Sequence, residues 1–414
     1  MRCFALLVLS LLCSCVARGG VDELGPRAAL TLAEQVRHLA RTGPIRATWI
    51  DQRDLRAHIA GLLTVEERTS SDTFGAIMRD LGFDVGERPL SEQLLDAMGT
   101  QVAGFYDPKV KTLYGVVRPG AQPLETTTVL IHEAVHALQD QHGMLADLDA
   151  SPPGLDDLQA AKQAMVEGDA TLAMIAGLAR WQGQTEAQVQ QTLTMAGIAI
   201  GSAISGIIDQ SKLPPIVGEA LVFPYAGGFT YLLFGPMKDG GGWAAVDRAL
   251  LAPPLSTELV LHPNKSPGDD PPVFVSFDVT HELTAGTGIT WEPAPVTVLG
   301  ERWQRFIFGQ KGQDLRAATG WGGDLVQHYR ERQSGQTITV VGTTWDTTKD
   351  ADEAASAWSA WGLDVVQEQN RVIIVGGPGN RTLVPGAVGR AALRTWRQAK
   401  IRSRADALAF IHGA

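Results

Sequence analysis

Residues 126–138 carry no Pro or Gly, and Glu133 is their only acidic or basic side chain apart from two histidines. Leu130, Ile131, Ala134, Val135 and Leu138 fall all around the axis at 3.6 residues per turn, which is the pattern of a buried helix. A second helix is predicted after Ser151-Pro152-Pro153, with Leu158, Ala161, Met165 and Leu172 as its apolar stripe. Upstream, residues 16–44 read as a linker with a short helix, 45–50 as a strand, 51–63 as a helix and 90–98 as another helix. Segments 101–106 and 111–117 alternate as two strands around a turn at Asp107-Pro108, so a hairpin leads into the apolar helix. Residues 112–116 are expected at the free edge of that sheet, where an extended peptide could pair backbone to backbone.

From 155 to 251 the pattern is mostly helical, broken at Gly183, at Leu213-Pro214-Pro215 and at Gly240 to Gly242. The apolar stretch 195–208 is rich in Gly, Ala and Ser, is too short to span a bilayer, and reads as a buried helix. Pro253-Pro254 and Pro271-Pro272 close this region. Beyond about 290, segments 337–341, 350–361, 371–375 and 386–399 read strand, helix, strand, helix. The expected fold class is therefore α+β. A mostly helical domain at 45–275, with a small sheet or hairpin before its main helix, precedes a small C-terminal α+β domain at 290–414. The run V-G-G-P-G-N at 375–380 lacks the third Gly of a dinucleotide loop and reads as a turn.

A chain of 414 residues is too long for one typical core, which supports the division in two. Residues 1–15 read as a signal peptide, with Arg2 ahead of a short apolar run. Leu12-Cys13-Ser14-Cys15 resembles a bacterial lipobox with Cys15 as the lipidated residue, while a cut after Val16-Ala17 would give a freely secreted form. The expectation is an exported protein of the cell envelope, held at the membrane only by a lipid anchor at Cys15. All three cysteines lie in this segment, which leaves the processed chain without an internal disulfide, a thiol nucleophile or a thiolate ligand. A net charge of −10 argues against nucleic acid as a partner and against an anionic lipid surface.

The chemistry is concentrated in V-L-I-H-E-A-V-H-A-L, where His132, Glu133 and His136 form an H-E-x-x-H constellation. Positions four apart on a helix are offset by about 40° and one turn, so both imidazoles can reach one metal ion. Glu133 projects beside them, placed to take a proton from a water activated by the metal. A chance match in a chain of this length is expected on the order of one time in a hundred. A core helix with two hydrogen-bonded histidines is the plainer alternative, and the buried Glu133 makes it costly.

An open catalytic zinc site needs a third protein ligand. Glu167, in A-M-V-E-G-D-A-T, leads, and Gly168 beside it suggests a close helix approach, since Gly costs about 1 kcal/mol in a helix interior. His142 is the alternative, at the third histidine position of H-E-x-x-H-x-x-G-x-x-H. The turning Gly of that pattern is Gln139 here, and on a continuing helix His142 points about 240° away from His136. Asp169 is a further alternative.

With these blocks the chain resembles the gluzincin-type, thermolysin-like zinc metallopeptidases. It resembles more closely a bacterial set with H-E-x-x-H-A-L-Q-D-Q, E-G-D-A, F-P-Y and S-T-E-x-x-x-H-P blocks, matched at 132–141, 167–170, 223–225 and 256–263. Further similar blocks are G-F-Y-D-P at 104–108, G-W-G-G-D at 320–324 and W-D-T-x-x-D-A at 345–351. The resemblance implies a zincin-like domain holding a single Zn2+ on His132, His136 and Glu167, with Glu133 as general base. It departs from the family where a carboxylate often lies four residues after the glutamate ligand: Thr171 stands there, and Asp169 falls on roughly the wrong face to replace it.

A donor for the developing oxyanion is also expected, and His262 and Tyr225 are the candidates. The leading expectation is thus a zinc peptidase of the cell envelope acting on peptide or protein substrates. The alternatives are a non-catalytic, zinc-stabilised envelope binding protein and a zinc hydrolase of non-peptide amides or esters.

Overall fold

The computed structural model describes residues 24–117, 123–146, 148, 152–211, 214–265, 268, 270–310 and 312–413. The signal segment and Cys15 lie outside them. The chain is α+β, dominated by helices with several small sheets.

Helix α1 (Pro26–Arg37) starts on a proline and turns Ala29, Leu30, Ala33 and Val36 inward. It belongs to the helical core, and Leu24 N donates to Thr127 Oγ1 at 3.0 Å. Strand β1 (Arg46–Asp51) ends in Asp51, which caps α2 (Gln52–Leu62) by accepting from Arg53 N. Helix α3 (Val65–Asp80) opens on a reciprocal capping box of Thr64 and Glu67, a start signal the pattern reading above passes over. Then come α4 (Leu90–Gln101), β2 (Gly104–Asp107) and β3 (Thr112–Val117).

The strand expected at the sheet edge is in the middle. The order is β1-β3-β2, with β1 parallel to β3 and β2 antiparallel to it. Strand β1 returns from upstream to cover the outer side of β3, and β2 is left as the edge beside the next helix.

Helices α5 (Pro123–Gln141), α6 (Asp156–Trp181), α7 (Glu186–Ser211) and α8 (Pro215–Phe234) form the helical layer. Helix α7 runs through the stretch expected to be buried, yet Met195 and Ile198 are 59% and 68% exposed. It is an outer helix with Val189 and Leu193 inside, and a run that is apolar all round must then leave a face to solvent.

The rest of the chain forms α9 (Gly242–Leu251), α10 (Thr257–Leu261), β4 (Val273–Ser276), α11 (Thr280–Thr287), β5 (Trp291–Pro293), α12 (Gly300–Gln310), β6 (Trp321–Glu331) and β7 (Thr337–Trp345). After these come α13 (Thr348–Ser359), β8 (Asp364–Glu368), β9 (Arg371–Gly376), α14 (Ala387–Thr395), β10 (Arg397–Lys400) and α15 (Arg404–Gly413). A five-stranded antiparallel sheet has the order β5-β6-β7-β9-β8. The helix expected over 386–399 stops at Thr395, and β10 pairs antiparallel with β4 instead.

The helical half and this sheet share one core. Ile77 and Met78 of α3, Leu81 just after it, and Val217 and Leu221 of α8 pack with Trp321, Trp345 and Trp358. Asp80 pins the end of α3 to β7, accepting from Thr337 Oγ1 at 2.6 Å and from Thr339 Oγ1 at 2.8 Å.

Candidate metal centre

Helix α5 is buried from Thr126 to Gln139, so His132, Glu133 and His136 are presented inside the molecule. Helix α6 crosses beside it and is pressed against α8 at a glycine pair. A Cβ on Gly168 would overlap the Gly228 backbone, and one on Gly228 would run into the Ala164 carbonyl. This is the close approach that Gly168 suggested, and it sets the depth at which neighbouring Glu167 enters.

Three donor atoms meet there. His132 Nε2 and His136 Nε2 are 3.0 Å apart, and Glu167 Oε2 lies 3.1 Å from the first and 3.2 Å from the second. Zinc bonds of about 2.0–2.1 Å in a tetrahedral arrangement separate neighbouring donors by about 3.3–3.4 Å, so the triangle is close to the size zinc requires. The donor set suits zinc, and two oxygens have no hydrogen-bond partner among the described residues, Glu167 Oε1 and Glu133 Oε1. Glu133 Oε2 accepts from Tyr106 N of β2 at 2.9 Å, so the edge strand fixes the base carboxylate.

The electrostatics of the metal-free centre follow from burial and mutual charge. Burial pushes Glu133 up to about 8 and His132 down to about 4. Burial also opposes the charge of His136, but the Glu167 carboxylate outweighs it and holds the imidazole up to about 9. For Glu167, burial raises and the two histidines lower more strongly, bringing it to about 2.

His142 does not join the three donors. Helix α5 ends at Gln141, and His142 Nε2 turns to the carbonyl of Ala40 at 2.9 Å. Asp169 lies outside the donor triangle too: it accepts from Gln139 Nε2 at 2.8 Å and pairs with Arg37 at 2.5 Å. Gln139 Oε1 in turn lies 2.7 Å from His136 Nδ1. Thr171 spends its hydroxyl on the Glu167 carbonyl at 2.7 Å and does not replace the missing carboxylate. Arg37 and Gln139 are the functional neighbours the motif reading lacks. Gln139 sits in the H-A-L-Q-D-Q block at the right helical spacing, whereas nothing in the sequence around Arg37 signals its role.

The oxyanion candidates separate. The Tyr225 ring is buried and lies 5.7 Å from the His132 ring, centroid to centroid. His262 follows α10, and its Nε2 is 2.9 Å from Glu301 Oε2, so its imidazole is engaged by α12. No hydrogen bond joins His262 to the metal centre among the described residues.

Two buried carboxylates act as joints. Asp157 at the start of α6 accepts from Thr257 N at 3.0 Å, and Asp324 accepts from Leu299 N at 2.7 Å and Gly300 N at 2.9 Å. They tie the ligand-bearing helix, α10, α12 and β6 together. A second acidic trio, Glu258, Asp270 and Asp346, could also hold a cation, but the Lys265 ammonium already lies 2.7 Å from Glu258 and 2.6 Å from Asp270.

A family described as a domain of unknown function (DUF8575) matches residues 291–384, the stretch that carries β5 to β9 and none of the metal-centre residues. No curated protein and no solved structure matches the chain.

Proposed function

We propose that the protein is a zinc-dependent metallopeptidase with a zincin-like, gluzincin-type domain, working on peptide or protein substrates in the cell envelope. A lipidated Cys15 would anchor it, and the alternative cut would release it. The observation that carries this reading is the triangle of donors within 3.2 Å of one another beside a carboxylate with one oxygen unpartnered among the described residues.

When bound, zinc supplies Lewis acidity toward the scissile carbonyl and toward water. Glu133 takes the proton of the attacking water on its free Oε1 and passes it to the leaving nitrogen, while the Tyr106 N–H holds Oε2 in place. Tyr225, against His132, is the donor candidate for the oxyanion; His262 is better read as a positioning group for α12 through Glu301.

A small pocket lined by Leu94, Met98, Leu221 and Pro224, with Glu67 and Arg68 among its polar residues, reaches Tyr225. It supports an approach of substrate between α3, α4 and α8, with an apolar side chain held beside Tyr225. Leu94→Trp fills this space, and kcat/KM on peptides with large apolar residues should fall by at least about 10-fold at unchanged zinc content. Unchanged kcat/KM would move the substrate elsewhere.

Complete burial of the ligands favours a second reading, in which zinc only staples α5 to α6 in a non-catalytic binding protein: His132, Glu133, His136 and Glu167 are all 0% exposed. Against it, a structural site needs no base. Metal analysis with hydrolysis assays on peptides, esters and non-peptide amides decides between them. The expected result is one zinc per chain and peptide cleavage that a chelator abolishes and added zinc restores. Zinc without any hydrolysis supports the staple, and a chain that takes up no zinc removes both.

A further inference from the structure

We propose that Gln139, in place of a carboxylate, is the residue that sets the tautomer and orientation of His136 for the metal, and that Arg37 locks Gln139 through Asp169. The inference rests on the metal-centre reading above and concerns what holds the centre from behind.

The amide of Gln139 can face only one way. Its Nε2 donates to Val166 O at 3.0 Å and to Asp169 Oδ2 at 2.8 Å, so a flipped amide would bring its oxygen against a carbonyl and a carboxylate. The oxygen is therefore the end that meets His136 Nδ1, at 2.7 Å. An acceptor there places the ring hydrogen on Nδ1 and leaves the Nε2 lone pair for the ion. The spacing is that of one helical turn, i to i+3 on α5, so the support and the ligand move as one body.

Asp169 is held in turn by Arg37, whose Nε lies 2.5 Å from Oδ1, with both side chains fully buried. Burying such a pair is a weak route to stability, because the desolvation of both charges offsets most of their attraction. Arg37 Nη1 also has no partner among the described residues. Arg37 Nη2 also pairs with Asp247 of α9, so the guanidinium is fixed from two sides, and its Asp169 arm is aimed through one amide at one metal ligand. The other histidine has no such support: His132 Nδ1 is unpartnered among the described residues.

The test measures zinc affinity by competition with a chelator, together with the melting temperature of the zinc-free protein. Gln139→Met keeps the bulk of the side chain and removes its hydrogen bonds; zinc affinity should fall about 10- to 100-fold, and the zinc-induced rise in melting temperature should shrink with it. The double variant Gln139→Glu with Asp169→Asn rebuilds the chain with the charge moved one residue inward. Glu at 139 accepts from His136 Nδ1, and Asn at 169 donates to it while its oxygen accepts from Arg37; the second Glu oxygen is left facing the Val166 carbonyl. That variant should recover part of the lost affinity, which a purely structural role for Gln139 does not predict. Parent-like affinity in Gln139→Met, or a folded double variant that binds no better than Gln139→Met, overturns the inference. A parent protein that takes up no zinc removes the metal-centre reading instead, and this inference with it.

Discussion

Replacing Glu133 with Gln is expected to slow peptide hydrolysis by about 10²- to 10⁴-fold, the usual share of a positioned general base, with zinc content unchanged. The amide has the shape of the carboxylate, and its oxygen can still accept from Tyr106 N, so neither β2 nor the three donors need to move. It cannot take up a proton from water. Stability of the metal-free protein should move the other way. The folded pKa of Glu133, pushed up to about 8 by burial, lies above its value of 4.5 in the open chain. Its contribution to stability is fully present below about pH 4.5 and is lost as pH rises through about 8, as the buried carboxylate ionises. The Gln variant has no such loss, so it should gain on the parent across that window in chemical denaturation at a series of pH values. Parent-like turnover in a zinc-loaded variant would take Glu133 out of the mechanism.

The sequence was most readable where a single helix carries the whole signal. His132, Glu133 and His136 share one face of α5 by spacing alone, and Gly168 announced the helix contact that positions Glu167. Legibility failed where a role depends on residues far apart in the chain. Arg37 reaches Asp169 across 132 positions, and no local pattern points from one to the other. Strand β3 looked like an edge because its hairpin partner is adjacent in sequence, whereas β1, which covers it, is not. Strand β6 was hidden by Gly322 and Gly323, which resemble a turn; Gly323 is there because a side chain would collide with the Val273 carbonyl of β4. Gln139 shows a different kind of failure. It was legible as the loss of a turning glycine, and its positive role emerges only once Val166, Asp169 and His136 surround it.

The largest effect on folding is expected at Gly228. Alanine at this position sets its methyl group on the Ala164 carbonyl of α6, a backbone atom with no rotamer to escape into, so α6 and α8 must move apart. Overpacking of a tight core usually costs about 1–3 kcal/mol, and a backbone collision between two long helices belongs at or above the top of that range. The displacement also reaches the chemistry, because Gly168, which faces Gly228, adjoins Glu167, and Tyr225 sits one turn before Gly228 on α8. The variant should therefore lose zinc affinity as well as resistance to denaturant. Gly227→Ala is the control: the nearest atoms to its methyl group would belong to the Phe223 ring, at 3.1 Å, a side chain that can shift, and alanine gains up to about 1 kcal/mol over glycine in a helix interior. Denaturant unfolding with zinc titration should thus show adjacent glycines diverging, Gly228→Ala strongly destabilised and poor in zinc, Gly227→Ala near the parent in both. Two parent-like variants would mean that the α6–α8 contact is not what holds Glu167 against the histidines.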